Sequence, residues 1–329
     1  MYSEQTDMKF IKSIQSAFSK LSTVGKILCM VAVLLSVMVL FKSLNKQKAG
    51  AGAGAGAGAT QREGFVDSSK FLFKTGTDVY DDFYATIYDH LVFNTVKNAY
   101  EIGEIVNNTN VDSASVILDI GSGTGHHVAA IAEKHLNVIG IDISPSMISA
   151  AKANYPQYQF KLANAMHENE FDHNSFTHIL CLYFTIYYFQ DKRKFFDNCM
   201  DWLLPGGYLV IHLVNRETFD PILPPGNPLY IVSPQKYAKT RITNTKITFN
   251  DFTYDSNFEL DKSSDLAVFD EKFKFNDGKV RKQEQRMYMN DSSEILTIAQ
   301  QCGFILQGTI DLVHCAYENQ YLYILGKPN

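Results

Sequence analysis

The sequence predicts an α/β domain, a doubly wound sheet carrying an inserted antiparallel β-meander, set behind a separate N-terminal transmembrane helix. Three observations carry that reading. The apolar run Ser115–Ile120 (SVILDI) leads directly into Gly121-Ser122-Gly123-Thr124-Gly125 and then into a helical pattern with Val128, Ile131 and Ala132 on one face. A second apolar run, Asn137–Ile141, follows at once and ends in Asp142. Strand, glycine turn, helix and strand in that order form the crossover unit of a parallel sheet. Between Arg216 and Asn290, finally, hydrophobic residues alternate at period two, the spacing of half-buried antiparallel strands.

Composition narrows the function. Of 329 residues 46% are hydrophobic and 20% charged, the balance of a folded chain with a full core. The formal net charge of -5, with no basic stripe interleaved with aromatics, sets nucleic acid aside as a partner. The five cysteines are widely spaced with no C-x-x-C pair, so they read as buried thiols in a reducing compartment. His167, His173 and His178 show no sustained ligand spacing; they read as loop or edge histidines, and no metal site is expected.

Taken from the N-terminus, residues 1–22 are a polar segment and residues 23–42 a transmembrane helix. Its core is Ile27–Phe41, with Ser36 the only polar member, and Lys26 and Lys42 snorkel to the headgroups at its ends. A secretory signal would want a short basic leader and a small-residue cleavage site, whereas here a long segment precedes the run and Lys42, Lys46 and Lys48 follow it. A buried helix of the soluble domain is the alternative. The strict Ala-Gly alternation from Ala49 to Ala59 has no side chains with which to build a core, and residues 43–76 are therefore a flexible linker. The Ala-Gly tract has a root-mean-square span of about 17–20 Å. The expected localisation is a single-pass membrane protein. Lysines nearly balance on the two sides of the helix, and the free thiols place the catalytic domain on the cytosolic side.

Residues 77–329 form the domain itself. Asp78 to Ile105 reads as helical, with Tyr80, Tyr84 and Tyr88 at helical spacing. An acidic residue at the end of the second strand, Asp142, is placed to accept both ribose hydroxyls of a nucleoside, while the bare glycine backbone and the helix N-terminus approach the ligand. A dinucleotide fingerprint needs a sixth-position glycine, and His126 stands there instead.

The pattern D-x-G-x-G-x-G suits S-adenosylmethionine. VILDIGSGTG, then VIGIDISPSMI, then LLPGGYLVI resemble the first, second and fifth strand motifs of class I S-adenosylmethionine-dependent methyltransferases, over about Tyr80 to Lys327. The resemblance implies a Rossmann-like seven-stranded sheet closed by an antiparallel pair, Phe304–Val313 and Gln320–Gly326. It puts Gly121, Ser122, Gly123 and Gly125 under the methionine part of the cofactor, Asp119 near its amino group, Asp142 on the ribose, and Ile143 and Met147 against the adenine. Asn164 and Ala165 follow the third strand where the family commonly shows Asp before a small residue, and the Asn amide oxygen still accepts from the adenine amino group. The two Tyr-Asp pairs resemble the N-terminal cap of small-molecule methyltransferases, which brings Tyr80 and Tyr88 to the cofactor.

A sulfonium methyl is already activated, so the chemistry asks mainly for alignment. A hydroxyl acceptor would still need a base. Tyr183, at the end of the fourth strand, and His212, at the end of the fifth, are the catalytic candidates, with His314 a third. The insertion Arg216–Asn290 opens on a proline-rich stretch and then reads as three strands, Phe252–Leu260, Ala267–Phe275 and Val280–Met289, with one face apolar and a hairpin turn at Asn276-Asp277-Gly278. With the cap helix it would cover the acceptor. The expected function is a membrane-tethered transfer of methyl groups to a small molecule or lipid headgroup; the alternative is a non-catalytic, membrane-anchored Rossmann-like binding module.

Overall fold

A computed structural model of the protein describes residues 71–226 and 233–329. The polar segment 1–22, the transmembrane helix 23–42 and all but the end of the linker 43–76 lie outside them. Among the described residues no helix is long and apolar enough to cross a membrane. The described residues begin with β1 (Phe71–Thr75), a short 3-10 turn and two helices, α1 (Asp82–Val92) and α2 (Thr95–Asn108). There follow β2 (Val116–Ile120), α3 (His126–Ala132), β3 (Asn137–Asp142), α4 (Pro145–Asn154), β4 (Gln159–Leu162), β5 (Phe176–Cys181), α5 (Lys192–Trp202) and β6 (Leu203–Val214). The insertion contributes β7 (Asn244–Thr248), β8 (Phe252–Asp261), β9 (Leu266–Phe275) and β10 (Val280–Tyr288), and the chain ends with α6 (Ser292–Gln301), β11 (Ile305–Asp311) and β12 (Gln320–Gly326).

Seven strands form the main sheet in the order β4-β3-β2-β5-β6-β12-β11. From β4 to β6 every pairing is parallel, and β12 runs against both its neighbours. An apolar run such as VILDI, interrupted only by Asp119, forms a strand covered on both faces, and its side chains divide accordingly. Leu118 and Ile120 enter a core with Trp202, Phe195 and Phe196 of α5, whereas Ile117 enters another with Ile102 and Ile105 of α2 and Ile131 of α3. Local chemistry fixes the helix starts. Ser144 accepts from the Met147 N–H and Pro145 stands at the first turn, which begins α4 directly after Asp142. The segment expected as one helix from Asp78 to Ile105 is two, because Asn94 leaves the helix and caps α2 by accepting from the Lys97 N–H.

The insertion departs from the expected three-stranded meander. It is a five-stranded sheet ordered β1-β10-β9-β8-β7, with β7 extending the meander on one side and β1 pairing parallel to β10 on the other. Residues 71–75, assigned above to the linker, are thus a strand; the backbone of β10 offers them an unpaired edge. The inward face of β10 is also not apolar. Arg281, Gln283 and Gln285 are buried there beside Met287, each with a polar partner. Helix α1 lies between this sheet and α4, where Val79, Tyr84 and Leu91 join Met147, Phe252, Tyr254 and Phe273 in one apolar cluster. Arg281 ties the start of α1 down: its guanidinium donates to both carboxylate oxygens of Asp81, at 2.9 and 2.8 Å, and to the Val79 carbonyl.

Candidate active site

At the carboxyl ends of β2 and β3 the glycine loop turns under a cavity of about 710 Å³. Its amides do not face the ligand space as expected. Gly121 and Ser122 both donate to the Ile141 carbonyl, Gly123 donates to Asp142 Oδ2 at 3.0 Å, and Gly125 donates to the Ser122 carbonyl. The loop's hydrogen bonds are spent on holding its own shape, and the glycines serve as left-handed, side-chain-free positions. Gly121 has φ of 73° and a Cβ there would meet the Thr185 side chain at 2.6 Å. Gly123 has φ of 53°, and its missing Cβ would face open space with only Tyr88 nearby, at 3.8 Å.

Carboxylates flank the loop. Asp119 is buried at 1% exposure, its Oδ2 has no hydrogen-bond partner, and burial, reinforced by the charges of Asp142 and Glu101 against that of His127, pushes its carboxyl up to about 6. Asp142 accepts from Ser144 N at Oδ1 and from Gly123 N at Oδ2, which leaves each oxygen a lone pair for a hydroxyl. Ile143, beside it, is 49% exposed, an apolar face available to a base, and Met147 is buried beneath. Asn164 turns its amide oxygen onto the Met166 N–H, one of its two acceptor positions, while Ala165 is buried. All of these line the cavity, as do Tyr80 and Tyr88 of the cap.

Of the catalytic candidates, Tyr183 lines the cavity in a left-handed conformation, φ 53°, that an aromatic residue rarely holds without a reason in the site. Burial pushes its hydroxyl well above the ordinary tyrosine range, so it is no base. His212 is fully buried and does not reach the cavity. Its Nδ1 is bonded to the Tyr183 carbonyl and its Nε2 contacts the Gln320 side-chain amide at 3.0 Å, and burial, with the Lys97 charge, depresses it to about 4. The ring holds the Tyr183 turn in place and has no free nitrogen with which to take a proton. His314 lies outside the cavity, its ring 6.2 Å from that of Tyr100. His178 is buried rather than solvated, its Nε2 bonded to the Thr109 carbonyl.

Residues 118–211 match the methyltransferase domain family. A dTDP-4-amino-2,3,4,6-tetradeoxy-D-glucose N,N-dimethyltransferase of Saccharopolyspora spinosa is 30% identical over 42% of the chain, and a demethylmenaquinone methyltransferase of Chlorobaculum tepidum is 32% identical over 31% of it. Residues 118–211 are an S-adenosylmethionine-dependent methyltransferase domain. The chain spans about half the length of these relatives, 57% and 42%. In fold it resembles an S-adenosylmethionine-dependent methyltransferase from Clostridium acetobutylicum, with a TM-score of 0.56 at 17% identity over 75% of this chain and 98% of that one. It also resembles a sugar N-methyltransferase from Streptoalloteichus, with a TM-score of 0.54 at 18% identity over 84% and 100%.

S-adenosylmethionine is the cofactor, and the residues present fit it. Asp119 Oδ2 and Asn98 Oδ1 are buried acceptors without partners, suited to an amino group; the spare lone pairs of Asp142 suit ribose hydroxyls. Several residues of the methyltransferase site carry no sequence signature. Lys97 and His127 both bond Glu101, at 2.5 and 3.2 Å, and although burial pushes the Glu101 carboxyl up, their charges outweigh it and hold it at about 2. Asp89 accepts from Thr124 Oγ1 at 2.6 Å and so latches α1 to the glycine loop. On the far wall Glu271 is buried and accepts from the hydroxyls of Tyr84 and Tyr254 and from the amides of Gln283 and Gln285. The one available hint was the pattern Arg281-x-Gln283-x-Gln285, a strand whose inward register is polar.

Proposed function

We propose that the chain transfers a methyl group from S-adenosylmethionine to a small-molecule acceptor held between α1 and the inserted sheet. The observation that carries this reading is the continuity of the cavity: one and the same cavity is lined by Asp119, Gly123 and Asp142 and by Tyr80, Tyr188, Phe258, Phe269, Gln285 and Met287. Its size suits a cofactor and a compact acceptor together. Curated relatives whose names specify an amino sugar and a quinone point to small acceptors. S-adenosylmethionine supplies an electrophilic methyl group, so the protein's own part is to align the acceptor and exclude water. The aromatic wall excludes water, and the tyrosine hydroxyls with Gln285 orient the acceptor. Incubating the full chain with methyl-labelled cofactor and cell extract should put label in the small-molecule fraction. Label in protein alone, or none in the presence of bound cofactor, would replace this reading with a protein methyltransferase or with a non-catalytic binding module.

The apolar run 23–42 would hold the domain at a membrane, on its cytosolic side. Resistance of the full chain to extraction by alkaline carbonate tests the span; release into the supernatant refutes it.

A further inference from the structure

We infer that Tyr80 and Tyr188 form a subsite for an amino group, and that the methyl acceptor is a primary amine. The inference deepens the proposed methyl transfer and rests on it. It follows from where the protons on this wall are committed. Glu271 is a buried carboxylate facing four donor groups, so it acts as an acceptor only. That fixes the Gln285 amide. Its Nε2 donates one hydrogen to Glu271 Oε2 at 2.6 Å and the other to the Tyr84 hydroxyl oxygen at 3.2 Å, and Oε1 must then point the other way. Gln285 Oε1 receives the hydroxyl protons of Tyr80, at 2.9 Å, and of Tyr188, at 2.5 Å.

Each of these two tyrosines has one proton, and because the two hydroxyls also hydrogen-bond one another, both protons are spent within the cluster of Tyr80, Tyr188 and Gln285. What they present to the cavity is a pair of hydroxyl oxygens with lone pairs only, on rings 6.2 Å apart and edge to face. A group that matches both at once must carry at least two hydrogens to donate. A primary amine or its ammonium does; a secondary amine in its neutral, reactive form has one, as an alcohol has, and a carbonyl or ether none. The reaction agrees. Burial holds the hydroxyls of Tyr80, Tyr84, Tyr88 and Tyr188 above their ordinary range, so no base stands among the rings around this subsite to strip an alcohol. A primary amine needs no such base: its ammonium form gives one proton to water before it reacts, and the neutral amine still carries two hydrogens for the two oxygens. Its nitrogen lone pair forms the N–CH3 bond while the C–S bond breaks and its electron pair stays on sulfur; the product nitrogen takes the positive charge and sheds a proton to water.

The test uses benzylamine and benzyl alcohol, which share one apolar body, titrated against the full chain at pH 7.5 by ligand-observed NMR, with and without S-adenosylhomocysteine. The amine should bind about tenfold tighter than the alcohol, the scale of one added charge-assisted hydrogen bond. Tyr188→Phe and, separately, Tyr80→Phe should each remove most of that preference with unfolding temperatures near that of the parent chain. Equal or tighter binding of the alcohol overturns the inference, as does a preference that survives both substitutions. A third overturning result is a Tyr188→Phe variant that loses affinity for S-adenosylmethionine and not for S-adenosylhomocysteine, which would assign the oxygens to the sulfonium. Failure of the chain to bind either nucleoside would instead remove the methyl-transfer reading, and the amine preference is read without them.

Discussion

Replacing Asp119 by Asn is expected to make the protein more stable and worse at holding its cofactor. The side chain is 1% exposed and one carboxylate oxygen lacks a partner, and burial pushes the carboxyl from its ordinary 3.8 up to about 6. A folded-state pKa above the unfolded value means that the stabilising contribution is full below about pH 4 and is lost as pH rises through about 6. At pH 7.5 the ionised carboxylate therefore destabilises the cofactor-free fold, and two units at 1.36 kcal/mol each amount to about 3 kcal/mol. Asn keeps the shape and removes the charge. The variant should gain about 2–4 kcal/mol at pH 7.5, or roughly 5–12 °C in unfolding temperature, and nothing at pH 4. Its affinity for S-adenosylmethionine should fall by about 1.5–3 kcal/mol, the size of a hydrogen bond to a charged group. Thermal unfolding at pH 4, 6 and 7.5 measures the first effect and titration calorimetry the second. A variant no more stable than the parent at pH 7.5, or one that binds the cofactor equally well, would refute the reasoning.

Asp142→Ala should weaken cofactor binding by about 1.5–3 kcal/mol in calorimetry, since it removes the acceptor proposed for the ribose and frees the Gly123 amide that now bonds it; unchanged affinity would take Asp142 off the ribose. Gly123→Val puts a branched side chain at φ 53° facing the cavity, so cofactor binding should be lost while strain lowers stability by only about 1–3 kcal/mol in denaturant titration. Asp81→Asn leaves the buried Arg281 without its counter-charge, which costs about 3–5 kcal/mol at pH 7. Burial raises the Asp81 carboxyl, but the Arg281 and Tyr84 donors outweigh it and hold it below the ordinary value. The pair's contribution is therefore present above the ordinary carboxylate range and lost as pH falls through the depressed value, and unfolding curves of parent and variant should converge in strong acid.

What could be read from sequence was set by distance along the chain. The strand SVILDI, the glycine turn and Asp142 lie within one crossover unit, and each imposes its conformation locally, so the loop and the two carboxylates beside it are legible by residue number. β1 was missed because Phe71, Leu72 and Phe73 remain half exposed at an edge, with no alternation to mark a strand. The role of His212 is not legible in the sequence, because residue type and strand position say nothing of burial, and its burial beside Tyr183 and Gln320 leaves the ring no free nitrogen. The Glu271 network joins α1 to β8, β9 and β10, with Tyr84 far upstream of its partner. No spacing rule connects such residues. Only the register that sets Glu271 opposite Gln283 and Ser256 reveals it.

The same network links the two sides of the cavity. Helix α1 is held to the inserted sheet by Arg281 on Asp81, by Tyr84 on Glu271 and by Tyr80 on Gln285. It is held to the cofactor side by Asp89 on Thr124 and by the Ser144 hydroxyl on the Tyr80 carbonyl. Most of these contacts are directional hydrogen bonds between buried or half-buried groups, whose strength depends on geometry far more than that of apolar packing. Tyr80 sits at the junction: its carbonyl accepts from the residue that caps α4 behind Asp142, and its hydroxyl belongs to the acceptor wall. A movement of the glycine loop that breaks the Thr124 contact leaves α1 and the turn before it held to the sheet by Arg281, Glu271 and Gln285, and to the cofactor side by Ser144 alone. The segment from Tyr80 to Val92 thus ties the glycine loop to the inserted sheet through two separate sets of bonds, and the loss of one set leaves the other in place.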